Sequence, residues 1–310
     1  MGGTSVAHTS RAPVWEEPDV VPTKTHEDQL QSVVDRLSAA AEADYYNPYK
    51  RFAWPDRLDV DGYWMSPELM TVHGTSAARE LDEKTLQEIS KWESGHFYSL
   101  NVHGIRELLI EVVRRIHTTG FEIPTKFFHH FVGEENEHMW FFAEFCLRYL
   151  GKIYPDRSMS FGTDPGSPLV QNFIVFSRIL IFEEIVDYFN SRMGSDDRLH
   201  PTIRDLNKIH HEDESRHIAF GRQLVTLAFQ KVCDDGTDDE REFCRTYTRR
   251  FLDSSIAGLY SPAVYRDAGV TNPTAFRREV MNDPARAAAN QAMSRRTTSF
   301  FHRIDAMAAA

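Results

Sequence analysis

The chain has 310 residues, 41% hydrophobic and 26% charged, ordinary proportions for a globular protein long enough to bury a sizeable core. A net charge of −11, with arginine pairs at 249–250, 277–278 and 295–296 scattered among acids, argues against a nucleic-acid partner. Cys146, Cys233 and Cys244 lack CxxC spacing, and neither a charged-then-apolar leader nor an 18-residue apolar run is seen, so a cytoplasmic protein with reduced thiols and no membrane span is expected.

Residues 1–25 carry Pro13, Pro18 and Pro22 without periodicity and read as a flexible tail, leaving 26–310 as a single helical domain. A first helix fits 26–43. The aromatic and proline-containing stretch after it, to about Thr75, reads as an ordered loop laid over the core. A long helical pattern runs from Asp82 to about His117 and breaks at "TTGFEIP", after which Pro124 opens a third helix ending near Gly151. Further helices fit 168–193, a segment opened by Pro201, 237–258 and 284–306. With no period-two alternation, no short-interval repeat and no glycine-rich phosphate loop, the predicted fold is all-α.

The helix opened by Pro201 contains "HHEDESRH", residues 210–217. Polar runs of this kind usually sit on a solvated face. At about 100° per residue, however, His210, Glu214 and His217 share one narrow stripe. Ile203, Leu206, Ile209, Ile218, Phe220, Leu224 and Leu227 make the same helix apolar enough to lie in a core. Histidines and carboxylates buried together without simple pairing point to a metal.

The third helix repeats the carboxylate-to-histidine spacing in Glu135 and His138 of "GEENEHMW". One ExxH means little, and Glu93 with His96 is another. Residues equidistant from a helix–helix turn lie at one height, which separates them. From a turn centred near Phe121, Glu135 pairs in depth with Glu107, whereas Glu93 lies roughly 20 Å further along the axis. From a turn near Asp197, His210 pairs with Glu183 or Glu184. Each hairpin thus offers a lone Glu and an ExxH, the ligand plan of a carboxylate-bridged di-iron or di-manganese four-helix bundle. Glu134 and Asp213 are placed to accept the N–H of the opposite motif's histidine, and Arg216 to offset their charge.

His210 is a third histidine beyond that plan. HxxxExxH, with a Glu 27 residues before its first His at position 183, resembles the para-aminobenzoate N-oxygenase (AurF-like) family of di-iron oxygenases within the ferritin-like superfamily. The resemblance implies a ferritin-like bundle with additional helices and a long N-terminal loop. It also implies seven ligands to two irons: Glu107, Glu135, His138, Glu183, His210, Glu214 and His217. The reduced pair would bind O₂ as a peroxo-diferric species and pass oxygen to an arylamine or another amine. Manganese in place of iron stays open. Phe141, Phe142, Phe145, Phe176 and Leu180 could wall a cavity for an aromatic substrate. The chain carries no flavin, nicotinamide or iron–sulfur motif, so an external electron donor is expected, and a homodimer is compatible with the sequence. C–H hydroxylation or desaturation is the alternative chemistry; an iron store or a purely structural metal bundle are the alternatives to an enzyme.

Overall fold

Prolines and capping residues set the helix limits. Residues 26–58, 62–156 and 166–309 are described in the computed structural model, so the expected tail at 1–25 lies outside them. The chain runs through α1 (His26–Ala43), the short α2 (Pro48–Arg51) and α3 (Ser76–Arg79), then the long α4 (Glu83–Val113), α5 (Thr125–Leu150), α6 (Pro168–Ser195) and α7 (Pro201–Asp235). After these come α8 (Asp238–Gly258), α9 (Pro262–Asp267), α10 (Pro273–Asn282) and α11 (Pro284–Arg303). No strand occurs among the described residues, as an all-α reading requires. Asp82 caps α4 by accepting the Thr85 N–H, and proline occupies the first turn of α6 and α7, where its missing N–H costs nothing. Gly151 ends α5 at φ +71°, a left-handed conformation that glycine adopts without strain.

The four long helices form a bundle in which α4 lies against α5 and α6 against α7. Ring contacts fix the directions. Tyr98 of α4 packs on Phe142 of α5 at 5.0 Å, and Phe142 in turn on His210 of α7 at 4.9 Å. Phe97 of α4 stacks on Phe189 of α6 at 4.9 Å, while seven residues before Phe189 and after Phe97 the helices still touch: a Cβ on Gly104 would stand 2.4 Å from the Phe182 ring. Helices α4 and α7 therefore run one way and α5 and α6 the other, an up-down-down-up arrangement compatible with a ferritin-like bundle.

The stretch between α1 and α4 is an ordered cover: Trp64, Met65, Leu69, Met70 and Val72 are buried in the common core. At about 1.5–3 kcal/mol for each large apolar side chain fully buried, this cover is held firmly. Helix α11 packs on α6, and α8 on both α6 and α7. Cys146, Cys233 and Cys244 are free thiols. No helix among the described residues is long and apolar enough to cross a membrane.

Candidate metal centre

Glu135 and His138 on α5 meet Glu214 and His217 on α7, each offering one ligand atom within 4.8 Å of all the others. All four are buried to 1% exposure or less. His217 Nδ1 lies 2.8 Å from Glu135 Oε1, and His138 Nδ1 lies 3.5 Å from Glu135 Oε1 and 3.9 Å from Glu214 Oε1. His210 joins through Nε2, 3.1 Å from Glu214 Oε1, with its ring centroid 4.3 Å from that of His138. Glu183 on α6 is buried beside them, close enough that the charges of Glu214, His217 and Glu135 act on its carboxyl.

The outer nitrogens are held. His138 Nε2 donates to Asp213 at 3.0 Å and His217 Nε2 to Glu134 at 2.7 Å, each carboxylate coming from the helix opposite its histidine. Such bonds fix the tautomer and leave each Nδ1 lone pair aimed at the cluster. Arg216 ties the two carboxylates together, reaching Glu134 at 2.8 Å, Asp213, and Asp44 at 3.1 Å; Tyr46 adds a hydrogen bond to Asp213 at 3.2 Å. The Asn190 side-chain amide engages His210 Nδ1, leaving Nε2 as the inward nitrogen.

The inward atoms are left without hydrogen-bond partners: Glu135 Oε1, His138 Nδ1, both oxygens of Glu183, His210 Nε2, Glu214 Oε2 and His217 Nδ1. Orphaned buried polar atoms are costly. A cluster of them on three helices, all carboxylate oxygens or imidazole nitrogens, fits divalent first-row ions, which take such donors.

Without a cation, protons must balance the charge. Burial opposes ionisation of His138, but Asp213 and Glu135 outweigh it and push its pKa up to about 10; His217 is raised in the same way by Glu134, Glu135 and Glu214. Burial and then Glu135 raise Glu214 to about 7, and burial with neighbouring carboxylates raises Glu183 well above the usual range. Bound metal must displace these protons. Affinity for Mn(II) should therefore rise with pH through the neutral range, because Glu214 gains its ligating form above about 7. Competition with a chelating dye between roughly pH 6 and 8 checks this, and a flat profile would refute it.

Two expectations need correction. Glu107 does not join the cluster: its side chain is 52% exposed and paired with Arg106 at 3.0 Å. Its depth along α4 is right, but it follows the inward-facing Ile105 by two residues, about 200° around the helix, and so points outward. Phe176 is also misplaced. It packs on Phe121 and Phe128 beneath Arg115, near the α4–α5 turn. Of the other suggested pocket residues, Phe141 and Phe142 touch the cluster histidines, Phe145 packs on Tyr98 and Trp64, and Leu180 faces Gly221. Phe131, 4.6 Å from the His217 ring, and Phe127 complete the aromatic surround and were not apparent from spacing.

The model of the family P-aminobenzoate N-oxygenase AurF matches residues 27–305, nearly the whole chain. The chain belongs to the AurF family. Among curated proteins, none matches it. Membership in a family of oxygenases accords with the buried Glu135, His138, Glu214 and His217 group, which could hold metal. The decoy pair Glu93 and His96 is instead engaged structurally: Glu93 accepts the Thr71 N–H at 2.9 Å, and His96 Nε2 bonds the Gly258 carbonyl at 3.0 Å.

Glu184, the neighbour that depth alone could not separate from Glu183, is ion-paired with Arg222 at 2.6 Å and accepts the Thr297 hydroxyl at 2.6 Å. Its partners occupy it; Glu183 has none. Glu183→Ala should lower metal occupancy, whereas Glu184→Ala should lower the melting temperature and leave occupancy intact, and elemental analysis of both variants would reveal a reversal.

Proposed function

We propose that this AurF-family chain is a non-heme di-iron oxygenase that N-oxygenates an arylamine or another amine, drawing electrons from an external donor. The observation that carries the reading is the set of unpartnered inward atoms on Glu135, His138, Glu183, His210, Glu214 and His217. Those six residues would hold the two metal ions, with iron favoured by the family and manganese accommodated by the same donors. When bound, an iron pair supplies the redox chemistry that activates O₂.

The chain's own residues do the rest. Asp213 and Glu134 hold His138 and His217 with their Nδ1 atoms inward, so the donors are set before any ion arrives. Phe131, Phe141 and Phe142 pack against the histidines and keep water from the reacting centre. An aromatic lining of this kind suits a ring-bearing substrate.

The test is product analysis. Iron-loaded protein, a chemical reductant and isotopically labelled O₂ are incubated with a panel of arylamines and acyl substrates. Hydroxylamine or nitro products carrying the label support N-oxygenation. Labelled C–O products would assign the chain to C–H hydroxylation instead, and O₂ consumption without any organic product would remove the oxygenase reading.

A further inference from the structure

With Glu107 outside the cluster, α4 contributes no carboxylate to it, and the question is what α4 does present there. We propose that Asn101 is the α4 ligand: a neutral amide oxygen completing one of the two metal positions, an inference that rests on the di-metal reading above. Asn101 is fully buried at 0% exposure. Its Nδ2 donates to the Phe97 carbonyl one turn back at 2.8 Å, which fixes the amide and leaves Oδ1 as its free end. That oxygen has no hydrogen-bond partner, like the inward atoms of the cluster.

Its height follows from the contacts around it. Asn207 of α7 donates to the Tyr98 hydroxyl of α4 at 2.7 Å, and these two helices run in the same direction. Three residues on from that pair stand His210 and Asn101. The Phe142 ring, which packs on both Tyr98 and His210, spans the same level from α5. Asn101 also falls on the buried face of α4 with Phe97, Tyr98, Ile105 and Leu108. Asn207 has a free oxygen too, but it sits one turn before His210, away from Glu214 and His217, and its amide is spent on Tyr98 and on the Ile203 carbonyl.

The consequence is electrostatic. Glu135, Glu183 and Glu214 bring three negative charges to two divalent ions carrying four, where a plan with four carboxylates would balance them. An amide carbonyl ligates without charge, so one ion should be held more weakly than the other. A donor set one negative charge short also disfavours the more highly charged oxidised pair.

Anaerobic Mn(II) titration followed by electron paramagnetic resonance and equilibrium dialysis tests this without reference to activity. The wild type should bind two ions with unequal affinity. Asn101→Leu should weaken the second ion by at least about tenfold and spare the first, while Asn101→Glu should tighten the second by about tenfold. Misfolding cannot produce that gain. Two ions bound by Asn101→Leu with wild-type affinities, or a folded Asn101→Glu with no gain, would overturn the proposal and make Asn101 a packing residue. Failure of the di-metal reading would appear elsewhere, as a wild type that binds fewer than two ions at any concentration.

Discussion

Replacing His217 by alanine is expected to strip metal from the protein and stop oxygen transfer together. The ring is wholly buried, its Nε2 is committed to Glu134, and its Nδ1 stands 2.8 Å from Glu135 with no other partner. Removing it deletes a donor and also releases the half-buried Glu134 from its hydrogen bond. The loss in metal affinity should exceed the roughly 100-fold that outlying partners of a ligand can cost. His138→Ala should behave alike, since His138 is held from the other side by Asp213. Elemental analysis and turnover are measured on the same samples. A variant that kept both ions and full activity would show that the imidazole is a core residue and no ligand.

The second large effect concerns folding. Arg216 is 8% exposed and bridges Glu134, Asp213 and Asp44, two of which hold the histidines. Burial opposes ionisation of Asp213, but the bond to His138 and the nearby charges of His138, His217 and Arg216 depress its pKa from 3.8 to about 2. A depressed carboxylate pKa stabilises the fold above the unfolded value, and that contribution disappears as pH falls from about 4 towards 2. Arg216→Met leaves the buried Asp213 and the half-buried Glu134 without their counter-charge. Breaking a buried pair in this way costs about 3–5 kcal/mol, which thermal melts at neutral pH would register as a large fall in melting temperature. Arg216→Lys should recover little, because one ammonium cannot reproduce the forked contacts to Glu134 and Asp213. An Arg216→Met protein as stable as the wild type would mean that the bridge contributes only to metal binding.

How much of this was legible in the sequence depends on which physical variable each feature needed. Helix limits were accessible because Pro124, Pro168, Pro201 and Gly151 act locally. Spacing alone put Glu135 with His138 and Glu214 with His217 on single faces. Depth from the turns separated the Glu93 and His96 pair, which the structure engages with Thr71 and Gly258. Depth carries no information about azimuth, and that is why Glu107 was taken at the right height on the wrong side of α4. Asn101 was missed because a neutral amide does not stand out among acids and histidines, although its place between Phe97, Tyr98 and Ile105 on the apolar stripe was the available signal. The choice between Glu183 and Glu184 needed Arg222 and Thr297, which lie 38 and 113 residues away. Asp44 and Tyr46, which support Arg216 and Asp213, come from the end of α1 and the segment after it, a contact that helix periodicity does not encode. The short helices α9 and α10 lie below the length at which a hydrophobic period can be read.

The measurement that bears most directly on the account is the metal stoichiometry of the full chain, reconstituted anaerobically with excess Fe(II), freed of loose ions and analysed for iron against protein. The six residues with unpartnered inward atoms and the proposed Asn101 amide are more donors than one first-row ion can use, so two irons per chain are predicted, coupled to each other in the Mössbauer spectrum after oxidation. A single tightly held ion, or none, would contradict the di-iron centre and with it the proposed oxygenase chemistry.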